Sequence, residues 1–182
     1  MQPAAFLDRD GVLNLDNGYP FRIDDIVFLP NILPALKILS QRKYMIFIIT
    51  NQSGIARGYF TEKEFLIIMD YIKNYFSVNG VHVDGIYYCP HHPLFGTSKE
   101  RNCECRKPKP GMINNAKEEY NIDLKKSLLV GDNKSDIMAG VNAGIPNRYL
   151  LVDNNKHIET EKYDYHVAGT LLDAVQNFFK IN

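Results

Sequence analysis

The residues that could do chemistry fall in a few short stretches. Asp8 and Asp10 close the first apolar run, Asp132 and Asp136 follow a later one, and Lys107 stands in Arg106-Lys107-Pro108. Alternate residues of an extended chain point the same way, so the carboxylates of Asp8 and Asp10 are predicted to converge while Arg9 points elsewhere, and Gly11 permits a sharp turn. Two carboxylates facing one small volume repel each other unless a hard, oxygen-seeking cation such as magnesium sits between them. A solvated turn would explain a lone Asp-x-Asp equally well, but Asp132 and Asp136 add carboxylates at what should be the same sheet edge.

Thr50-Asn51-Gln52-Ser53-Gly54 supplies a hydroxyl and backbone N–H groups suited to phosphate oxygens, although such residues also make ordinary turns. Lys107 precedes the helix that leads into the fourth strand, where a cation could neutralise a phosphoryl group and an aspartate nucleophile together; a surface position is the commoner fate of a lysine.

A second constellation lies between residues 89 and 108, a stretch rich in His, Pro, Gly, Cys and charge. It holds all three cysteines, Cys89, Cys103 and Cys105, an odd number in a poor layout for disulfides. With one of two adjacent histidines, His91 or His92, they make the Cys₃His set of closed tetrahedral zinc sites; free or buried thiols are the alternative. With four protein ligands such a zinc would be structural, ordering the loop that carries Arg106 and Lys107. His82, His157 and His166 read as surface or packing residues.

The elements that must position these residues are legible from patterning. Apolar runs at Ala4 to Leu7, Tyr44 to Ile49, Gly85 to Cys89, Leu128 to Val130 and Tyr149 to Val152 read as buried parallel strands. Phe65, Ile68, Met69, Ile72 and Phe76 recur at helical spacing behind a Thr61/Glu64 capping box. Further helices are predicted around Pro34 to Leu39, after Pro110, from near Lys134 to a stop at Gly144 and Pro146, and over Thr170 to Phe179. Alternating strands and helices predict an α/β fold: a doubly wound parallel sheet, which binds ligands beyond the carboxyl ends of its strands. Residues 1–182 are expected to form one domain, with only short connections in place of a separate cap and hence an open site.

Composition narrows the classes. The chain has 182 residues, 45% hydrophobic, with 21 basic and 21 acidic side chains. Even charge disfavours nucleic acid and anionic membrane surfaces as partners, and no apolar stretch approaches ~18 residues. The first apolar run is too short for a signal peptide, which predicts a cytoplasmic protein, and a monomer is the expectation in the absence of a long exposed apolar run.

Taken in order, Asp8-Arg9-Asp10-Gly11-Val12, Thr50-Asn51-Gln52, Lys107, and Gly131-Asp132 with Asp136 resemble the four motifs of haloacid dehalogenase (HAD) superfamily phosphatases over nearly the whole chain. The stretch TNQSGIARG from Thr50, Cys89-Pro90-His91-His92-Pro93, and CECRKPKPGM from Cys103 narrow the resemblance to the heptose-bisphosphate phosphatase family, with the histidinol-phosphate phosphatase domain its nearest relative. The resemblance implies an aspartyl-phosphate at Asp8, with Asp10 protonating the leaving oxygen and later activating water. It implies magnesium on Asp8, Asp132 and the backbone carbonyl of Asp10, and zinc on Cys89, His91, Cys103 and Cys105, which selects His91 over His92. Thr50 and Lys107 would stabilise the phosphoryl group and Asp136 would orient Lys107. Arg106, Asn133, Asp16, Asn17, Gly18 and Tyr19, with Thr50, Asn51, Gln52 and Ser53, would contact a small sugar phosphate. One departure stands out: the family commonly places Lys directly after the motif-four aspartate, where this chain has Asn133 and then Lys134.

Other classes fit less well. There is no G-x-x-x-x-G-K-[ST] loop for a kinase, and Asp10 supplies an acid for an oxygen leaving group, which a dehalogenase does not need. A zinc-stabilised binding module with a vestigial acidic cluster would have to explain why Asp8, Asp10, Lys107 and Asp132 are all present.

Overall fold

A computed structural model describes residues 1–152 and 164–181; His157 lies outside the described residues. Six parallel strands, β1 (Ala4–Leu7), β2 (Met45–Asn51), β3 (Gly85–Cys89), β4 (Leu128–Gly131), β5 (Asn147–Leu151) and β6 (His166–Ala168), form one sheet in the order β3-β2-β1-β4-β5-β6. The chain winds outward from β1 through β2 to β3, then returns beside β1 as β4 and winds the other way. The switch point therefore lies between β1 and β4, where Phe6 pairs with Leu129 and Leu7 with Val130.

Both faces of the sheet are covered, which is why its strands read as continuous apolar runs. Ala5, Leu7, Ile48 and Val130 pack toward α1 (Ile32–Gln41), α3 (Glu62–Val78) and α7 (Leu171–Ile181). Ala4, Phe6, Phe47, Ile49 and Leu129 face α5 (Gly111–Tyr120) and α6 (Lys134–Ala143) through Met112, Ile113, Ala116, Ile137 and Ala139. The two short helices, α2 (Ser53–Ala56) and α4 (Ser98–Arg101), lie in the connections that overhang the strand ends.

The predicted strands and helices are found, with shifted boundaries. Strand β2 runs on through Thr50 and Asn51 because both pair with β3, opposite Tyr88 and Cys89. β5 begins at Asn147, two residues ahead of its apolar part. β6, with only His-Val-Ala and two of its three residues exposed, carries too little pattern to be seen in the sequence. His166 stacks near Tyr149, with ring centroids 5.0 Å apart, and His82 is exposed. The stretch between β3 and α5 is not wholly irregular, since Thr97 and Glu100 cap α4 reciprocally.

Helix α3 starts where its capping box predicts. The Thr61 hydroxyl accepts from Glu64 N–H at 3.2 Å, while the Glu64 carboxylate accepts from Thr61 N–H at 2.7 Å. Thr61→Ala should remove one arm of this box, destabilising the protein by about 1 kcal/mol and lowering the melting temperature by roughly 2–4 °C, with catalytic constants unchanged; a thermal melt beside an activity assay checks this.

Candidate active site

The site forms where β1, β2 and β4 end. Lys107 arrives there from the loop before α5, and the Asn51 side chain fixes its backbone: the Asn51 amide donates to Lys107 C=O at 3.1 Å, and Lys107 N–H donates to Asn51 Oδ1 at 3.0 Å. The buried Lys107 Nζ lies 2.9 Å from Asp8 Oδ1, 2.6 Å from Asp136 Oδ1 and 2.9 Å from the carbonyl of Ile49. An ammonium has three donors, and all three have partners here. Burial alone would lower its proton affinity, but Asp136 and Asp8 outweigh that and hold the lysine well above its ordinary value, so it is a fixed positive charge.

Asp8, Asp132 and Asp136 bring carboxylate oxygens within 4.8 Å of one another. Gly11 permits the approach: its φ is +78°, and a Cβ there would sit 2.2 Å from Asp132 Oδ2. Burial, then the Asp136 and Asp10 charges, push the Asp8 carboxyl up to about 8 against the pull of Lys107. Asp132 is raised to about 6, chiefly by burial and then by Asp136.

The donor chemistry fits a hard divalent cation. Three carboxylates face one ammonium, a surplus of two negative charges when all are ionised. Asp136 is committed elsewhere, since Oδ1 faces Lys107 and Oδ2 accepts from Asn133 N–H at 3.0 Å. Among the described residues, the hydrogen bonds to Asp8, from Arg9 N–H and Lys107, fall on Oδ1 and leave Oδ2 open. Asp8 and Asp132 are thus the carboxylates with oxygens to offer a metal.

Asp10 corrects the sequence reading. Arg9 does not point away from it: the Arg9 guanidinium forks onto the Asp10 carboxylate at 3.0 and 2.7 Å, while the Asp10 charge still reaches Asp8. The reason is local, because β1 ends at Leu7, so the two-residue alternation of a strand no longer applies from Asp8 to Asp10. Asp10 is also bonded by the Asn14 amide at 2.9 Å and the Gln52 amide at 3.0 Å.

The stretch after β2 is likewise more inward than expected. Asn51 and Gln52, read as substrate contacts, commit their side chains to the protein: Asn51 to Lys107, and Gln52 to Asp10, to the Thr50 hydroxyl at 2.8 Å and to Arg9 at 3.3 Å. The buried Thr50 hydroxyl accepts that bond and keeps its own proton to donate. Ser53 opens α2 at the rim.

Asp16, Asn17, Gly18 and Tyr19 form an exposed loop closed by a bond from Gly18 N–H to Asp16 Oδ1 at 3.0 Å. Asp16 lies near enough to add to the upward push on Asp132, and Tyr19 meets Tyr59 edge-on at 4.9 Å. Arg106 donates to the His91 carbonyl at 3.1 Å. Asn133 caps α6 with its oxygen, which accepts from Ser135 N–H at 3.1 Å, so its amide hydrogens are the end available to a ligand. Asn14 and Arg57 were missed in the sequence; Arg57 bonds His92 at 2.8 Å and lies over Phe95, one helical turn beyond Ser53.

Cys89, His91, Cys103 and Cys105 gather as a potential metal site, their ligand atoms all within 4.8 Å. Cys105 Sγ is 3.4 Å from His91 Nδ1 and Cys89 Sγ is 3.6 Å from Cys103 Sγ, spacings near the edges of a tetrahedron around one ion, while Cys105 Sγ lies closer to Cys89 Sγ, at 2.9 Å. The close contact with Cys89 lowers the Cys105 thiol to about 5, and the same contact together with burial raises that of Cys89. His92 bonds Arg57 and lies outside this set.

The chain is similar in sequence and fold to known proteins. A family model described as HAD-hydrolase-like matches residues 104–174. The D-glycero-beta-D-manno-heptose-1,7-bisphosphate 7-phosphatase of Pasteurella multocida is 46% identical over 181 residues, 100% of this chain and 97% of that protein. The D-glycero-alpha-D-manno-heptose-1,7-bisphosphate 7-phosphatase of Campylobacter jejuni is 42% identical over 177 residues, 97% and 95% of the two chains. Among solved structures, the D,D-heptose 1,7-bisphosphate phosphatase of B. bronchiseptica, complexed with magnesium and phosphate, superimposes with a TM-score of 0.83 at 30% identity and covers 100% of both chains.

The raised Asp8 carboxyl has a consequence for stability. Its folded-state value lies above the ordinary 3.8, so the folded protein binds this proton more tightly than the unfolded chain does. The associated stability is present below the ordinary value and is lost as pH rises toward about 8. In chelator-treated protein, melting temperature should fall over that interval more steeply for the wild type than for Asp8→Asn, and magnesium chloride should restore the wild type at the alkaline end; parallel profiles would refute the assignment.

Proposed function

The chain belongs to the HAD-like hydrolases and, within them, to the D-glycero-D-manno-heptose-1,7-bisphosphate 7-phosphatase family, and on that premise we propose that it removes the 7-phosphate of D-glycero-D-manno-heptose 1,7-bisphosphate. It is a phosphoric monoester hydrolase, and its product retains the 1-phosphate, a step toward nucleotide-activated heptose. The observation that carries the reading is the Lys107 ammonium held between Asp8 and Asp136, with Asp132 beside them, at the switch point of the sheet.

In this reading Asp8 attacks the phosphorus of the 7-phosphate in line. The bond to the sugar oxygen breaks, and its electron pair goes to that oxygen, which takes a proton from Asp10. Asp10 then accepts a proton from the water that attacks the aspartyl-phosphate, releasing phosphate and regenerating the Asp8 carboxylate. Lys107 and the Thr50 hydroxyl offset charge on the phosphoryl oxygens, with Lys107 exchanging one of its present partners for a phosphoryl oxygen. Asp136 keeps Lys107 in place. Arg106, Asn133 and the loop from Asp16 to Tyr19 hold the rest of the sugar phosphate at the rim, joined there by Ser53; Asn51 and Gln52 act by fixing Lys107 and Asp10.

Magnesium would be held by Asp8 and Asp132 with the backbone carbonyl of Asp10, where it supplies charge stabilisation for the transferring group. Zinc would be held by Cys89, His91, Cys103 and Cys105. With four protein ligands it has no open position, so its contribution is to order the loop that carries Arg106 and Lys107. The chain acts as a single catalytic domain over residues 1–182, a cytoplasmic monomer; among the described residues no helix is long and apolar enough to cross a membrane.

Phosphate release from heptose 1,7-bisphosphate should exceed release from histidinol phosphate by a wide margin, should require magnesium, and should fall by about 10⁴-fold or more in Asp8→Asn. Preference for histidinol phosphate would keep the chemistry and overturn the substrate. Cys105→Ser should lose the bound zinc found by metal analysis of the wild type, melt at a lower temperature and show a reduced kcat, because Arg106 and Lys107 lose their anchored loop. Unchanged zinc content would remove Cys105 from the ligand set.

A further inference from the structure

We infer that Arg9 is a positioning residue for the proton step, aiming the Asp10 carboxyl group through a cage of four donors. The inference rests on the reading of Asp10 as proton donor to the leaving oxygen.

Arg9 is among the largest wholly buried side chains, 0% exposed. Its Nη1 faces Met69 Sδ at 3.9 Å, and its guanidinium lies 5.7 Å from the Phe65 ring centroid, so its body is set in the apolar face of α3. A buried ion pair is often worth no more to stability than well-packed apolar residues of the same volume, which directs attention to what the guanidinium holds. It forks onto both oxygens of Asp10, with Nε on Oδ1 and Nη2 on Oδ2. The remaining sites on those oxygens go to Asn14 on Oδ1 and Gln52 on Oδ2.

A carboxylate has about four acceptor sites, and each has a donor here, contributed by three residues; when the group takes up its proton, one of the two amide donors yields its site. Two parallel bonds from one fork fix the plane of the carboxyl group as well as its position, which a single charge does not do. Arg9 is tied to Gln52, and Gln52 to Thr50, so the plane of Asp10 is set against the phosphoryl-binding edge of β2. Displacing a catalytic group by an ångström lowers the rate on the order of 10²-fold, so losing this fork should be felt at the step in which the proton moves.

That step can be isolated by leaving group. A sugar alkoxide must be protonated as it departs, whereas p-nitrophenolate departs without a proton, and kcat/KM reports events only up to the first irreversible step. Arg9→Lys keeps the charge and the buried stem and loses the fork. Its kcat/KM should fall about 10²-fold on the sugar bisphosphate and only a few-fold on p-nitrophenyl phosphate, with Asp10→Asn showing the same discrimination more strongly. Asn14→Ala, which removes one donor, should follow in the same direction to a smaller degree and serves if Arg9→Lys does not fold. If Asp10→Asn discriminates between the substrates while the Arg9 and Asn14 variants lower both equally, Arg9 is structural and the inference is overturned. If Asp10→Asn itself fails to discriminate, the assignment of Asp10 as proton donor falls first.

Discussion

A buried ammonium organises the carboxyl edge of this sheet. Lys107 Nζ joins the end of β1 through Asp8, the start of α6 through Asp136 and the end of β2 through the Ile49 carbonyl, each within 2.9 Å. An unpaired lysine could not remain charged there, and the ammonium in turn pulls Asp8 toward its ionised form. The geometry follows from that mutual need. The Asn51 clamp on the Lys107 backbone matters because the charge has to arrive from a loop, and Gly11 has no side chain because Asp132 must approach the same point.

The edge carries two charge systems, which meet where the Asp10 charge reaches Asp8. The first, Lys107 with Asp8, Asp132 and Asp136, has a surplus of negative charge and suits a divalent cation and a transferring phosphoryl group. The second, Arg9 with Asp10, is neutral as a pair and closed by Asn14 and Gln52. Separating them lets one aspartate act as nucleophile beside the cation while the other handles protons outside the cluster. The thiol and imidazole cluster stands behind the first system. It gathers residues 89 to 105, and the Arg106 bond to the His91 carbonyl passes that order to the residue before Lys107.

The fold was legible because a parallel sheet buried on both faces leaves apolar runs that need no partner to be recognised, as at Phe6-Leu7, Ile46 to Ile49 and Leu128 to Val130. The cysteine cluster and the polar strand ends were legible because their residue types are chemically demanding. The direction of side chains beyond a strand end was not: the alternation that set Arg9 apart from Asp10 stops at Leu7, and Arg9 turned inward to the carboxylate it was expected to avoid. Asn51 and Gln52 were read as facing a ligand, although equally good partners lay within the protein. Asn14 and Arg57 carried a faint signal, each four residues past one already singled out, and β6 carried almost none.

The most direct test of the central claim is the regiochemistry of hydrolysis, followed by ³¹P NMR on heptose 1,7-bisphosphate with magnesium present. The account predicts that the 7-phosphate monoester resonance gives way to inorganic phosphate while the anomeric 1-phosphate signal persists. Loss of the anomeric signal with the 7-phosphate intact would contradict it.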